Sequence, residues 1–228
     1  MEYLVTMTTR VPDGIPDETV QDVRAREAVR ARELAAQGHL LRLWRPPLQP
    51  GEWRTLGLFA ADNDDQLERV LASMPLRIWR TEQVTPLSTH PNDPAPGRDS
   101  PQRTTDPELG EEVEFLTTFT VTVPDGAADE VVHDLTTREA QAALQLARQG
   151  KLVRLWALPA EPGTSRALGL WRAQNLAELQ AILASLPLDR WMTTRTTSLT
   201  EHPNDPRPPS ADALSSARSA QLPSCPVS

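Results

Sequence analysis

The chain has 228 residues and a net charge of −8, with 31 acidic against 23 basic side chains, and without a basic tail or stripe it does not fit an electrostatic nucleic-acid binder. This length accommodates two small domains near the lower limit of independent stability, so burial of one against the other is expected. No apolar run approaches the roughly 18 residues that span a bilayer, and Met1-Glu2-Tyr3-Leu4 opens into strand-like sequence, so the expectation is a cytoplasmic protein without a membrane partner.

Tyr3 to Arg10 is rich in β-branched residues and predicts a strand, closed by the turn Pro12-Asp13-Gly14. Asp17 to Gln37 has few breakers and stops at Gly38, a favourable position just past a helix end. His39 to Arg45 predicts a second strand ending at Pro46-Pro47, and Trp53 to Ala61 a third after Gln49-Pro50-Gly51. Asp62-Asn63-Asp64-Asp65 supplies capping oxygens for a short helix running to about Ser73, and a last strand falls near Ile78 to Leu87. The order β-α-β-β-α-β is the ferredoxin-like pattern.

The chain then repeats itself. Val11-Pro12-Asp13-Gly14, Arg26-Glu27-Ala28, Leu43-Trp44, Leu71-Ala72-Ser73 and His90-Pro91-Asn92-Asp93-Pro94 all return 112 positions later, as far as His202-Pro203-Asn204-Asp205-Pro206, without insertion or deletion. The organisation is therefore a tandem duplication, with domains at 1–94 and 113–206 joined by a Pro/Gly/Ser/Thr-rich linker at 95–112 and followed by a Pro/Ser/Ala-rich tail at 207–228, expected to be disordered. An internal pseudo-dimer is the default arrangement. The single cysteine, Cys225, lies in that tail, which leaves no intrachain disulfide or thiolate metal cluster. Lys151, the only lysine, corresponds to His39 in the other copy, so Schiff-base chemistry is not expected.

One residue does not suit its face. Val20, Val23, Ala31 and Leu34 form an apolar stripe on the first helix, and the vacant stripe position is Glu27; Val132, Leu135, Ala143 and Leu146 enclose Glu139 in the same way. A carboxylate on a core-facing stripe loses hydration and its pKa rises, which suits a general base that must return its proton. The alternative is a structural pair with Arg26, Arg30 or an arginine on the sheet. On the second strand, period two places Leu41 and Leu43 on one face and Leu40, Arg42 and Trp44 on the other, with Arg154 and Trp156 in the second copy. Arg42 and Arg154 are candidates to hold a substrate carboxylate bidentately or to pair with the helix glutamate. Trp44 and Trp156 are core or interface anchors placed to line the same site. His90 and His202 close rigid turns; the Asp three residues on loosely suggests metal ligation, but the spacing matches no strong zinc signature, and a pocket-closing histidine is favoured.

Taken together, the opening Met7-Thr8 before Val11-Pro12, the run Arg24-Ala25-Arg26-Glu27 leading to Gln37-Gly38, Leu43-Trp44-Arg45, Leu71 through Pro75-Leu76 and the closing His90-Pro91 resemble the muconolactone delta-isomerase family. The resemblance covers Glu2 to about Pro94 and Glu114 to about Pro206. It implies facing antiparallel sheets in a dimeric α+β barrel, formed here within one chain, and homo-oligomers of pseudo-dimers as an option. It also implies proton transfer between carbons of a small-molecule lactone, without metal or cofactor, and places the family's proton-transfer glutamate on Glu27 and Glu139. Leu40, Leu41, Arg42 and Thr89 depart from the family pattern. The functional expectation is a cofactor-independent isomerase or cyclase acting beside a carbonyl of a lactone or polyketide-like substrate in specialised metabolism. A fused catabolic muconolactone isomerase and a non-catalytic ligand-binding pseudo-dimer are the alternatives.

Overall fold

The computed structural model of the chain describes residues 1–95, 112–161 and 163–206. The tail expected at 207–228, and the linker apart from Ala95 and Glu112, lie outside the described residues.

The first repeat runs β1 (Glu2–Thr9), α1 (Asp17–Ala36), β2 (Leu40–Arg45), β3 (Arg54–Ala60), α2 (Asp64–Ala72), a 3-10 turn (Pro75–Trp79) and β4 (Arg80–Thr89). The second runs β5 (Val113–Thr122), α3 (Asp129–Arg148), β6 (Leu152–Leu158), β7 (Thr164–Ala173), α4 (Leu176–Ala184), a shorter 3-10 turn (Asp189–Trp191) and β8 (Met192–Glu201). The 3-10 turn is a correction: the last strand was expected from Ile78, but Pro75 starts a tight turn and β4 begins at Arg80. The long helices stop where the glycine predicts. Gly38, at φ +74°, donates to Ala35 O at 3.0 Å while His39 N donates to Leu34 O at 2.8 Å, the paired bonds of a Schellman cap. Asn63 caps α2 by accepting from Gln66 N at 2.9 Å.

The strands close into one barrel in the order β1-β3-β2-β8-β5-β7-β6-β4, with antiparallel pairing throughout. Two joints cross between the repeats. Trp44 and Arg45 of β2 face Glu201 and Thr200 of β8, and Ser88 and Thr89 of β4 face Ala157 and Trp156 of β6. Closure removes the sheet edges that either repeat alone would expose. It also creates three cores. Leu56, Leu58, Leu87 and Trp44 meet Leu116, Leu168, Leu170 and Trp156 inside the barrel, and each repeat has a second core between its sheet and its helices.

A bulge in β2 changes which residues share a face. The register against β3 slips between Leu40 and Arg42, so Leu40 joins Leu43 in the helix-side core while Leu41 packs with Trp44 inside the barrel. The strict alternation expected for Leu40 and Leu41 fails because one residue is inserted. The same slip recurs in β6 between Leu152 and Arg154. Two glycines then allow aromatic rings to lie on the sheet. A Cβ at Gly57 would collide with the Phe59 ring, and one at Gly169 with Trp171.

Candidate active site

The helix stripe of α1 carries its acid inward. Val23, Glu27, Ala31 and Leu34 are the buried residues of α1, and Glu27 is 7% exposed. The 3-10 turn meets it there: Leu76 N donates to Glu27 Oε2 at 2.9 Å, and Arg80 Nη1 donates to Oε1 at 3.0 Å. Burial raises the Glu27 pKa against the opposing pull of the Leu76 amide and Arg80. The carboxylate thus has a sheet-arginine partner, one of the alternatives open from the sequence, and lines a cavity as well. This cavity, about 310 Å³, lies between α1 and the sheet, with Arg24, Trp53, Thr55 and Arg80 among its walls. The Arg24 guanidinium lies 5.2 Å from the centre of the Trp53 ring.

The cavity is completed from the other repeat, by His202, Pro203 and Asn204. His202 Nδ1 accepts from Asn204 N at 3.1 Å, which leaves Nε2 as the protonated nitrogen of the neutral ring. Burial, with Arg45 and Arg24 nearby, pushes the His202 pKa down to about 4, so the ring is neutral at physiological pH.

The second cavity repeats the plan with different walls. Glu139 accepts from Leu188 N at 3.1 Å, and His90, Pro91 and Asn92 of the first repeat close a space of about 460 Å³. Arg80 has become Met192. Burial raises the Glu139 pKa, the Leu188 amide opposes it, and Asp189 raises it further. His90 accepts from Asn92 N at 3.1 Å, and burial lowers its pKa against the pull of Asp93.

Arg42 and Arg154 stand elsewhere: neither lines a glutamate cavity, and their partners correct the expectation that they pair with the helix glutamates. Arg42 is 2% exposed and donates to Glu114 Oε2 at 2.7 Å and to Asp205 Oδ2 at 3.1 Å, both from the other repeat. Trp44 Nε1 donates to the same Glu114 oxygen at 2.8 Å, with the Arg42 guanidinium 4.6 Å from the centre of its ring. In mirror fashion Arg154 binds Glu2 at 2.8 Å and Asp93 at 3.2 Å, while Trp156 Nε1 donates to Glu2 at 2.5 Å. A hollow by Met1 and Thr89 is lined by Arg154 and Trp156, but both side chains are committed to these partners. Trp44 and Trp156 are thus interface anchors, and neither lines the glutamate cavities.

Glu2 and Glu114 carry no sign of their role in the sequence, and Asp93 and Asp205, the acids three residues after His90 and His202, suggest only weak metal ligation there, although each pair is shared across the repeat. Their work is positional. Asp205 also accepts from Leu43 N at 2.9 Å, and Asp93 from Leu155 N at 3.0 Å, so each His-Pro-Asn-Asp turn is pinned to the opposite repeat with its histidine at that repeat's cavity. Burial alone would raise the Glu114 pKa; Arg42, Trp44 and Arg172 overcome it and hold it down to about 2.

Among the described residues no helix is long and apolar enough to cross a membrane. The chain is similar over 92 residues, 40% of its length, to the muconolactone delta-isomerase of Cupriavidus pinatubonensis at 33% identity, covering 97% of that protein. Its similarity to muconolactone delta-isomerase 1 of Acinetobacter lwoffii is 29% over 92 residues and 93% of that protein. A chlorite dismutase mutant from Candidatus Nitrospira defluvii superposes with a TM-score of 0.56 at 11% identity, over 87% of this chain and 91% of that one, a likeness of fold alone. The family model for muconolactone delta-isomerase matches residues 1–93 and again 113–205, and with the barrel built from both segments the chain belongs to that family as a tandem duplication of its domain.

Proposed function

We propose that the chain is a cofactor-independent isomerase or cyclase in which Glu27, Glu139 or both remove a proton beside a carbonyl of a lactone or polyketide-like small molecule and redeliver it to another carbon. Specialised metabolism is the proposed setting. The observation that carries this reading is a partly or wholly buried carboxylate in a cavity wall, present in both repeats at the same place. Burial raises the affinity of each carboxylate for a proton, which suits a group that must take a proton from carbon and give it back.

The chemistry balances without a redox partner. The carboxylate takes the proton as the C–H bond breaks, the electron pair moves onto the carbonyl oxygen as an enolate, and the protonated carboxyl group returns its proton to a conjugated carbon while the double bond shifts. Neutral His202, with Nε2–H as donor, and Arg24 are placed to offset the charge that develops on oxygen in the first cavity. Leu76 N and Leu188 N fix the two carboxylates, and Arg42 and Arg154 serve as positioning residues for the turns that carry the histidines.

A second reading, a fused muconolactone isomerase, is supported by Arg24 in the first cavity, since a carboxylated lactone requires a cation. Muconolactone in deuterated water, followed by NMR for carbon-bound deuterium and double-bond position, separates the readings. Isomerisation with label, abolished in Glu27→Gln/Glu139→Gln, supports the family chemistry on that substrate. Exchange on a polyketide-like ketone alone favours the specialised reading. Full activity in the folded double variant would sink the mechanism.

A further inference from the structure

The two cavities share an acid, a histidine turn and a backbone plan, but corresponding wall residues differ, above all in charge. Arg24 corresponds to Thr136, Arg80 to Met192, Trp53 to Ser165, Thr55 to Ala167 and Thr9 to Val121. Two cations are lost, the hydroxyl groups of Thr9 and Thr55 give way to those of Thr136 and Ser165, and Trp53 is replaced by a small side chain. The space grows accordingly, from about 310 Å³ to about 460 Å³, within the usual range for small-molecule sites.

Much of the second cavity's wall is apolar and aromatic. Phe119 and Trp171 meet there with ring centres 6.0 Å apart at 60°, and Trp191 and Met192 stand in the same wall. Its charged lining residues among those described are Glu139 and Arg166, and Arg166 donates to Pro159 O at 3.2 Å. The guanidinium of Arg190 lies 5.3 Å from the centre of the Trp191 ring, and Asp189 adds negative charge near Glu139. A ligand carboxylate here would lose its hydration beside a second acid, and in place of Arg24 and Arg80 the lining cation is Arg166, which already donates to Pro159 O. An uncharged ring system would instead exchange water for aromatic and aliphatic walls.

We infer that the second cavity is a distinct site for an uncharged, ring-bearing ketone or lactone, while the first takes a carboxylated one. The proton-transfer role of Glu139 within this site rests on the function proposed above; the ligand preference rests on the walls. The chain therefore carries two specificities in one barrel.

The test is isothermal titration of the full chain with two probes: 1-tetralone, an uncharged bicyclic ketone, and the same ketone bearing a carboxylate on its aromatic ring. Thr136→Arg/Met192→Arg gives the second cavity the cations of the first, and Arg24→Thr removes a cation from the first. Both Thr136 and Arg24 are exposed on their helices, and single Thr136→Arg serves should the double variant fold poorly. The expected result is that 1-tetralone binds the wild type, weakens at least tenfold in the arginine variant and is unchanged by Arg24→Thr. The carboxylated probe should lose at least tenfold with Arg24→Thr and gain affinity in the arginine variant. Absence of 1-tetralone binding, loss of its binding on Arg24→Thr, or indifference to arginine at 136 and 192 would overturn the inference. Binding is read without turnover, so 1-tetralone held in the second cavity without deuterium exchange would count against proton transfer by Glu139 and leave the ligand preference standing.

Discussion

Replacing Arg42 by Met should destabilise the barrel by about 3 kcal/mol at pH 7, and by less in acid. The guanidinium is 2% exposed and shares Glu114 with Trp44 Nε1 and Arg172, the latter at 3.4 Å. Glu114 is held at about 2, a little over two units below an ordinary glutamate near ~4.3, and each unit is worth about 1.4 kcal/mol. That gives about 3 kcal/mol, the lower end of the roughly 3–5 kcal/mol lost when one partner of a buried pair is removed. Methionine keeps an unbranched chain over Trp44, so little of the loss is cavity formation. The sign with pH follows from linkage. A depressed acid contributes stability above its unfolded pKa and loses it as pH falls through the folded value, so the difference should shrink to about 2 kcal/mol by pH 3.5. Asp205, whose pKa burial raises against the pull of Arg42, changes in the same direction because protonation relieves it of the missing partner. Urea unfolding followed by circular dichroism at both pH values measures this. A loss below about 1 kcal/mol at pH 7, or one that grows in acid, would refute the assignment of these contacts as the stabilising joint.

Three further outcomes are expected. Asp93→Asn keeps an acceptor for Leu155 N but loses the charge facing Arg154; it should weaken 1-tetralone binding severalfold and leave the first cavity's affinity for the carboxylated probe unchanged, read by titration. Glu139→Gln should raise the melting temperature at pH 7.5, because an acid with a raised folded pKa costs stability increasingly as pH climbs from its unfolded pKa through the folded one, and the gain should vanish in acid, below the unfolded pKa. Glu27→Gln should show no such gain, since it breaks the buried pair with Arg80. Gly57→Ala drives a methyl group against the Phe59 ring and should cost about 1–3 kcal/mol in urea unfolding with activity at the second cavity retained.

The sequence is informative where the chemistry is local. The glutamate on the apolar stripe follows from helical spacing, the caps from Gly38 and Asn63, and the duplication from the 112-residue offset. The seam is not readable in this way, because Arg42 meets Asp205 across 163 positions and Glu114 across 72, and a period-two strand pattern contains no sign of an inserted bulge residue. The repeat does mark Glu2 with Glu114 and Asp93 with Asp205 as shared residues, so the signal existed and its meaning required the fold. Arg24 and Arg80 were overlooked for the opposite reason. A search for residues common to both repeats passes over those that differ, and in this chain the differences carry the distinction between the cavities.

Fusion makes that distinction accessible. In a dimer of identical chains, a two-fold axis repeats every wall residue, so a substitution that suits one cavity is imposed on the other. Here each cavity takes its helix and floor from one repeat and its histidine turn from the other, and separate coding of the repeats removes the constraint. The seam cannot use this freedom, because both joints must close the same barrel; Arg42 with Glu114 and Asp205, and Arg154 with Glu2 and Asp93, are accordingly the same residue types in the same arrangement. Changed charge in the cavity walls, with the histidine turns and their aspartate pins unchanged, is the pattern expected if both cavities bind ligands of different charge. A scaffold repeat with an idle cavity would have no reason to keep Glu139 half-buried beside Leu188 and His90 pinned opposite it.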